Sequence, residues 1–234
     1  MARDEAPVQR AEKKRSGLVG TLAKLPFTLL WIVILSIFCS VLIEWVGIYF
    51  NWFSQAGSEH ARQTMFAEMG YLDSQFARSL LVSSPAEFAT TVIETCYQWA
   101  FVKTGIAGWV NQGAGAGGWA GTLKTYLQAA MFVTLMTLTR CVILVLTSPL
   151  FILAAIVGFT DGLVSRDLRR FGAGRESAFI YHHAKRLVTP IFFTGWLFYL
   201  SLPFSIHPNL FLLPCAFLFG LMIAIATSSF KKYL

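Results

Sequence analysis

Long stretches without a charged residue alternate with short charged clusters along this chain of 234 residues. Segments 25–43, 141–160 and 187–230 contain no Asp, Glu, Lys or Arg. A helix needs about 20 apolar residues to cross the hydrocarbon core of a bilayer. These runs are continuous, whereas the strands of a membrane barrel alternate. The last run can hold two helices that reverse at 207–209. The pattern therefore predicts four transmembrane helices, at 25–50, within 127–160, at 187–206 and at 210–230.

Region 51–126, between the first two predicted spans, carries a helical pattern. Ser84 and Pro85 suit a helix start, and Glu87 completes a capping box there. We predict two amphipathic helices, at about 58–82 and 85–104, that pack on each other and cap the bundle. A docking surface for a partner is the alternative interpretation of their apolar stripes. The stripes recur at helical spacing and consist of Met65, Met69, Leu72, Phe76 and Leu80, then Phe88, Val92, Cys96, Trp99 and Val102.

The glycine-rich segment 113–118 matches the dinucleotide-binding pattern G-x-G-x-x-G. That motif requires a preceding strand and an acidic residue about 20 positions later. Helical sequence precedes this segment, so we interpret it as a hinge. We expect a long helix to follow, with Leu123–Leu138 extending outside the membrane and the second span ending at 160.

Composition and charge support a membrane protein and orient it. Apolar residues make up 56% of the chain and charged residues 13%, which excludes an ordinary soluble domain. The net charge of +7 is concentrated in the tail 1–24, the loop 161–186 and the C-terminus 231–234. Because cytoplasmic segments are enriched in Lys and Arg, both termini and this loop are predicted to be cytoplasmic. Region 51–126 then faces outward, and the first span is predicted to be an uncleaved anchor.

Two ionisable residues lie near the outward ends of predicted spans. Glu44 belongs to the first span and Arg140 to the second, at similar depth. We predict that they form an intramembrane pair that ties the two helices together. An ion or proton pathway is the alternative, since ionisable groups inside a bilayer are functional candidates. That alternative would make the protein a small transporter or channel.

The loop 161–186 is rich in charged and polar residues, and we predict a basic helical hairpin there. Arg166, Arg169 and Arg170 share one helix face, and a glycine-containing turn follows them. Contact with anionic headgroups would explain the number of charges. Docking of an acidic partner surface or of nucleic acid would also explain their arrangement. The predicted docking residues are Arg166, Arg169, Arg170, Phe171, Arg175, His182 and His183.

The sequence offers no chemistry for catalysis. Neither a nucleophile with its base nor a paired-carboxylate set can be placed on one helix face, and phosphate-loop and zincin motifs are absent. His182 and His183 are adjacent, so they point to different faces of a helix and make a poor metal site. We therefore expect no enzymatic activity, no cofactor and no bound metal.

The run 166–177, continued by 181–186, resembles the signature of the integrating conjugative element membrane proteins. The resemblance implies a bacterial inner-membrane protein of conjugative DNA transfer, near a type IV secretion apparatus. A non-enzymatic scaffold or adaptor beside the coupling ATPase is the role it suggests. The expected partners are membrane lipids and conjugative transfer or coupling proteins. Whether the protein forms a homo-oligomer is left open, and direct contact with nucleic acid is not expected.

The predicted fold is thus an all-α membrane protein with four transmembrane helices, a helical periplasmic cap and a cytoplasmic helical hairpin. Its segments are the tail 1–24, the first span 25–50, the cap 51–126, the long helix 127–160, the hairpin 161–186, the spans 187–206 and 210–230, and the C-terminus 231–234.

Overall fold

The computed structural model of the protein describes residues 18–55, 57–75, 81–112, 118–171 and 178–229. Within these ranges the chain is helical, as the sequence predicts, and a π-helical turn at Gln98–Val102 follows the third helix. The helices are α1 (Leu18–Phe50), α2 (Glu59–Gln75), α3 (Pro85–Tyr97), α4 (Ile106–Gln112), α5 (Trp119–Phe171), α6 (Ala178–Ser201) and α7 (Pro208–Ser228).

Three segments in the described part of the chain are long and apolar enough to cross a membrane. They are Pro26–Phe50, Trp119–Arg169 and Pro208–Ser228, and they are compatible with a multi-pass membrane protein. Helix α6 ends at Ser201, before the predicted limit at 206. Pro203 explains that end, because proline disfavours a helical conformation in the residue before it and lacks an N–H. A fourth span in α6 stays a prediction.

Helix α5 is the central element of the fold. It is one helix of 53 residues, about 80 Å long at the α-helical rise, and it contacts every other helix described. Its middle carries fully buried apolar residues such as Ile143 and Leu144. The long helix predicted from the sequence is therefore present, and it begins at Trp119 and continues to Phe171.

Helices α5 and α7 approach each other closely through small residues. A side chain at Gly158 would collide with the backbone of Gly220, and one at Gly162 would collide with the carbonyl oxygen of Ala224. Small residues at spacings of four allow two helix backbones to pack closely without a hydrophobic driving force. Since residue numbers rise together along this contact, α5 and α7 run parallel.

The second apolar stripe predicted for the cap is buried only in part, since Val92 packs against the core. Helix α3 buries Ala89 and Ile93 against α5, whereas Phe88, Trp99 and Val102 are exposed. Small Ala89 lets the helix lie close to α5, and the π-helical turn changes the direction of the residues after Tyr97. On α2, Met65 and Leu72 of the predicted stripe are buried, and Phe76 and Leu80 lie outside the described residues. The predicted hinge lies outside the described residues, except for Gly118.

Candidate functional site

Arg140 is the largest fully buried side chain in the described part of the protein, with 1% of its surface exposed. Its guanidinium carries five N–H groups, and every one donates a hydrogen bond. Nε and Nη2 donate to Oε1 of Glu68, at 3.1 and 2.8 Å. Nη1 and Nη2 also donate to three backbone carbonyl oxygens, those of Tyr199 at 3.1 Å, Leu202 at 2.6 Å and Phe204 at 2.8 Å.

The three carbonyl acceptors exist because α6 ends early. Tyr199 lies in the last helical turn, whose carbonyl oxygens have no partner within the helix. Leu202 and Phe204 lie in the irregular segment around Pro203, where no helical N–H can reach their carbonyls. Buried carbonyl groups without a partner are costly. The guanidinium of Arg140 therefore caps the end of α6 from the neighbouring helix α5.

Glu68 supplies the charge partner of Arg140 from α2. Its side chain is completely buried, and the two charged groups approach to 2.8 Å. Burial raises the pKa of the Glu68 carboxyl, and the adjacent guanidinium opposes that rise. A buried carboxylate keeps its charge only when it is paired and hydrogen-bonded. The pair therefore fixes the position of α2 on α5.

Glu44 forms a second buried pair with the same helix α2. Its two carboxylate oxygens lie 3.0 and 3.1 Å from Nδ1 of His60. The imidazole ring stacks on Phe53, with the ring centroids 3.7 Å apart. Phe53 in turn packs directly on Gly47 of α1, where a larger residue would collide with the ring. These contacts attach the start of α2 to the end of α1.

A tight reversal after α1 makes this second pair possible. Asn51 has a φ of +51°, a left-handed conformation that Asn adopts more readily than most residues. The N–H of Trp52 then donates to the carbonyl oxygen of Gly47 at 3.0 Å, which closes the helix as a left-handed cap does. The chain turns back at this point, so Phe53 and His60 reach the side of α1.

The two buried pairs lie on one face of α2. His60, Thr64 and Glu68 are spaced four residues apart, and residues at that spacing share a helix face. His60 binds α1, and Glu68 binds α5. Thr64 between them is buried and donates to the carbonyl oxygen of His60 at 2.9 Å. We call these three residues the α2 clamp.

The predicted pair between Glu44 and Arg140 is not the one that forms. Each residue instead pairs with the α2 clamp, Glu44 with His60 and Arg140 with Glu68. Sequence reasoning missed both partners. A signal was present, because His60, Thr64 and Glu68 continue the helical face next to the apolar stripe that begins at Met65.

The predicted docking hairpin falls only partly within the described residues. Arg166 and Arg169 are half-buried near the end of α5, and Phe171 is exposed at its last position. His183 is exposed on α6, and both it and Arg166 make polar or ring contacts. Arg175 and the side chains of Arg170 and His182 lie outside the described part. Whether these residues form one surface stays a prediction.

Nothing in the described ranges resembles a metal site, since no three His, Cys, Asp or Glu side chains there lie close enough to hold an ion. The buried polar groups are instead arranged to hold helices together. Arg140, Glu68, Glu44 and His60 join α1, α2, α5 and the end of α6 in one network. These contacts form a frame between the helices, with the charged groups inside the protein.

Comparison with known proteins identifies a family. No curated protein and no solved structure matches the chain. Residues 52–231 match the family model described as "IncC plasmid conjugative DNA transfer protein DtrJ-like". The match covers the cap and everything from α2 to the end of α7, which includes the Arg140–Glu68 pair and the hairpin. The match therefore confirms that the chain belongs to a conjugation-related family, although the family matched is not the one named from the sequence. The chain belongs to the DtrJ-like family of conjugative DNA transfer proteins.

Proposed function

We propose that this protein is a multi-pass inner-membrane scaffold or adaptor of the conjugative DNA transfer apparatus, without enzymatic activity. Four helices cross the bilayer, with α6 as the fourth span. Both termini and the loop 161–186 face the cytoplasm, and α2–α4 cap the bundle on the periplasmic side. The family match over 52–231 is the observation that carries the proposal, since it places the chain in conjugative DNA transfer.

The buried network supports a scaffold role. Its charged groups hold α1, α2, α5 and α6 together. All five N–H groups of Arg140 donate hydrogen bonds within this network, to Glu68 and to three backbone carbonyl oxygens. A transport pathway needs polar groups that face a water-filled route. The transporter alternative depended on Glu44 and Arg140 acting together, and the structure gives them separate partners.

The cytoplasmic hairpin 161–186 is the proposed docking site for the coupling ATPase of the apparatus or another cytoplasmic component. Arg166 and Arg169 extend from the cytoplasmic end of α5, and Arg170 and Arg175 follow in sequence. Complementary charge raises the rate and specificity of association between proteins. A partner with an acidic surface is therefore expected.

The experiment replaces Arg166, Arg169, Arg170 and Arg175 together by Ala in donor cells. We expect reduced conjugative transfer and reduced co-purification of the coupling ATPase with the membrane protein. A matched variant with Lys at the same four positions keeps the positive charges that orient the loop. Comparing the two separates a loss of docking from a change of topology, which cysteine labelling from either side of the membrane would detect.

Normal transfer and normal co-purification in the Ala variant, at wild-type protein level, would show that the hairpin does not dock a partner. Retained docking in the Lys variant would show that charge suffices. Loss in both variants, with topology intact, would show that the Arg side chains make specific hydrogen bonds.

A further inference from the structure

An exposed stripe follows α5 past the end of α7. Its members are separated by four, three, four and three residues, the spacing of the a and d positions of a coiled coil. All of them are exposed. The stripe, which we call the α5 seam, consists of Val157 (56% exposed), Asp161, Val164 (57%), Leu168 (67%) and Phe171 (91%).

A groove between α5 and α7 opens beside the start of this seam. It encloses about 260 Å³ and has Gly158 and Gly220 among its lining residues, at the point where the two backbones meet. Phe217 and Leu221 of α7 line it with the seam residues Val157 and Asp161. The groove and the seam therefore form one continuous apolar track with a single carboxylate in it.

The length of the track decides what can cover it. Gly162 contacts the last turns of α7 at Ala224 and Thr227. From Gly162 to Phe171 the helix α5 continues for about 14 Å, so Leu168 and Phe171 lie beyond Ser228, the last residue of α7. A lipid acyl chain could fill the groove but would not follow a helix out of the bilayer. Another helix alongside α5 could cover the whole track.

The charge of Asp161 distinguishes between a second copy of α5 and a helix of a different protein as the partner. A second copy of α5 would have the same orientation in the membrane. Two parallel copies of the seam would place Asp161 against Asp161, and like charges at facing positions are destabilising. A partner helix with Lys or Arg at the facing position would instead form an ion pair in a partly apolar setting.

We propose that the α5 seam binds a transmembrane helix of a different protein, one that continues out of the bilayer beside α5 and presents Lys or Arg to Asp161. This inference rests on the proposed function, because it names the chemistry of a partner in the same apparatus. The contact is separate from the Arg residues, since the seam occupies a different face of α5 from Arg166 and Arg169.

The test uses donor cells with the complete transfer module and a photocrosslinking amino acid, p-benzoylphenylalanine, at Val157, Val164 or Leu168. Phe159 is the control position, because it is exposed on the same helix but lies off the seam. We expect the three seam positions to give an adduct that mass spectrometry assigns to a transmembrane helix of another protein. That helix should have Lys or Arg near the crosslinked residue, and Phe159 should give little or none of this adduct.

Charge reversal completes the test. Asp161→Lys should lower the adduct yield about tenfold or more, and an acidic residue in place of the partner's Lys or Arg should restore it. Adducts with lipid alone, with a second copy, or equally at Phe159 would overturn the proposal. Deletion of the gene separates the two proposals. If deletion abolishes transfer but Asp161→Lys leaves adducts and transfer normal, only the seam proposal fails.

Discussion

Replacing Arg140 by Met removes five hydrogen-bond donors from the interior while keeping a long, flexible side chain. Glu68 then stays buried without its cation, and three carbonyl groups at the end of α6 lose their donors. Removing one partner of a buried ion pair costs about 3–5 kcal/mol. The carbonyl of Tyr199 is the buried one of the three, and leaving it unpaired adds roughly 1–3 kcal/mol. We therefore expect Arg140→Met to be among the most destabilising single changes in the protein.

The assay is fluorescence-detected thermal unfolding of the purified protein in detergent, with Arg62→Met as the matched control. Arg62 lies on the exposed face of α2 and pairs with Glu59 at 3.1 Å, also in an exposed position. Exposed pairs contribute about 0–1 kcal/mol. Arg140→Met should therefore unfold at a clearly lower temperature than Arg62→Met, which should resemble the wild type.

A double variant checks the reason for the effect. Arg140→Met with Glu68→Leu leaves no carboxylate buried without a cation, so it should be more stable than Arg140→Met alone. The two changes should thus be non-additive, as expected for residues in direct contact. Equal unfolding temperatures for Arg140→Met and Arg62→Met, or simple additivity in the double variant, would refute this account of the site.

Two further predictions concern the packing of the helices. Gly158→Val should weaken the bundle and lower the unfolding temperature, because the new side chain would meet the backbone of Gly220. Gly70→Ala, with open space around it, should unfold at or slightly above the wild-type temperature, because Ala favours a helix more than Gly does. Equal effects of the two changes would contradict the close contact. His60→Ala should leave the buried carboxylate of Glu44 without its partner and cost roughly 1–3 kcal/mol, measured by the same unfolding assay; an unchanged unfolding temperature would show that this pair does not hold α2.

The elements that the sequence could predict depend on local patterns. Apolar runs located the three candidate spans, and Pro85 marked the first residue of α3 as expected. The partners of buried charges could not be found in this way. His60 is 16 residues from Glu44, and Glu68 is 72 residues from Arg140. Spacing along a chain determines which residues share a helix face, but it does not determine which faces of different helices meet.

Helix ends and mixed apolar faces were the other source of error. The apolar run of α6 continues to 206, but Pro203 ends the helix at Ser201. The carbonyl groups at this helix end then accept hydrogen bonds from Arg140. Helix α3 has apolar residues on two faces. Phe88, Trp99 and Val102 were predicted to be buried, whereas packing against α5 buries Ile93 and the small Ala89. Close approach of backbones favours small residues, and a count of apolar positions does not capture that preference.

Conjugative transfer from a donor that lacks this gene tests the central claim most directly. The account predicts that deletion abolishes or strongly reduces transfer, and that wild-type protein supplied in trans restores it. Arg140→Met should restore it poorly, because the frame that holds α2 and α6 on α5 is lost, whereas Arg62→Met should restore it fully. Unchanged transfer frequency in the deletion strain would contradict a role for this protein in conjugative DNA transfer.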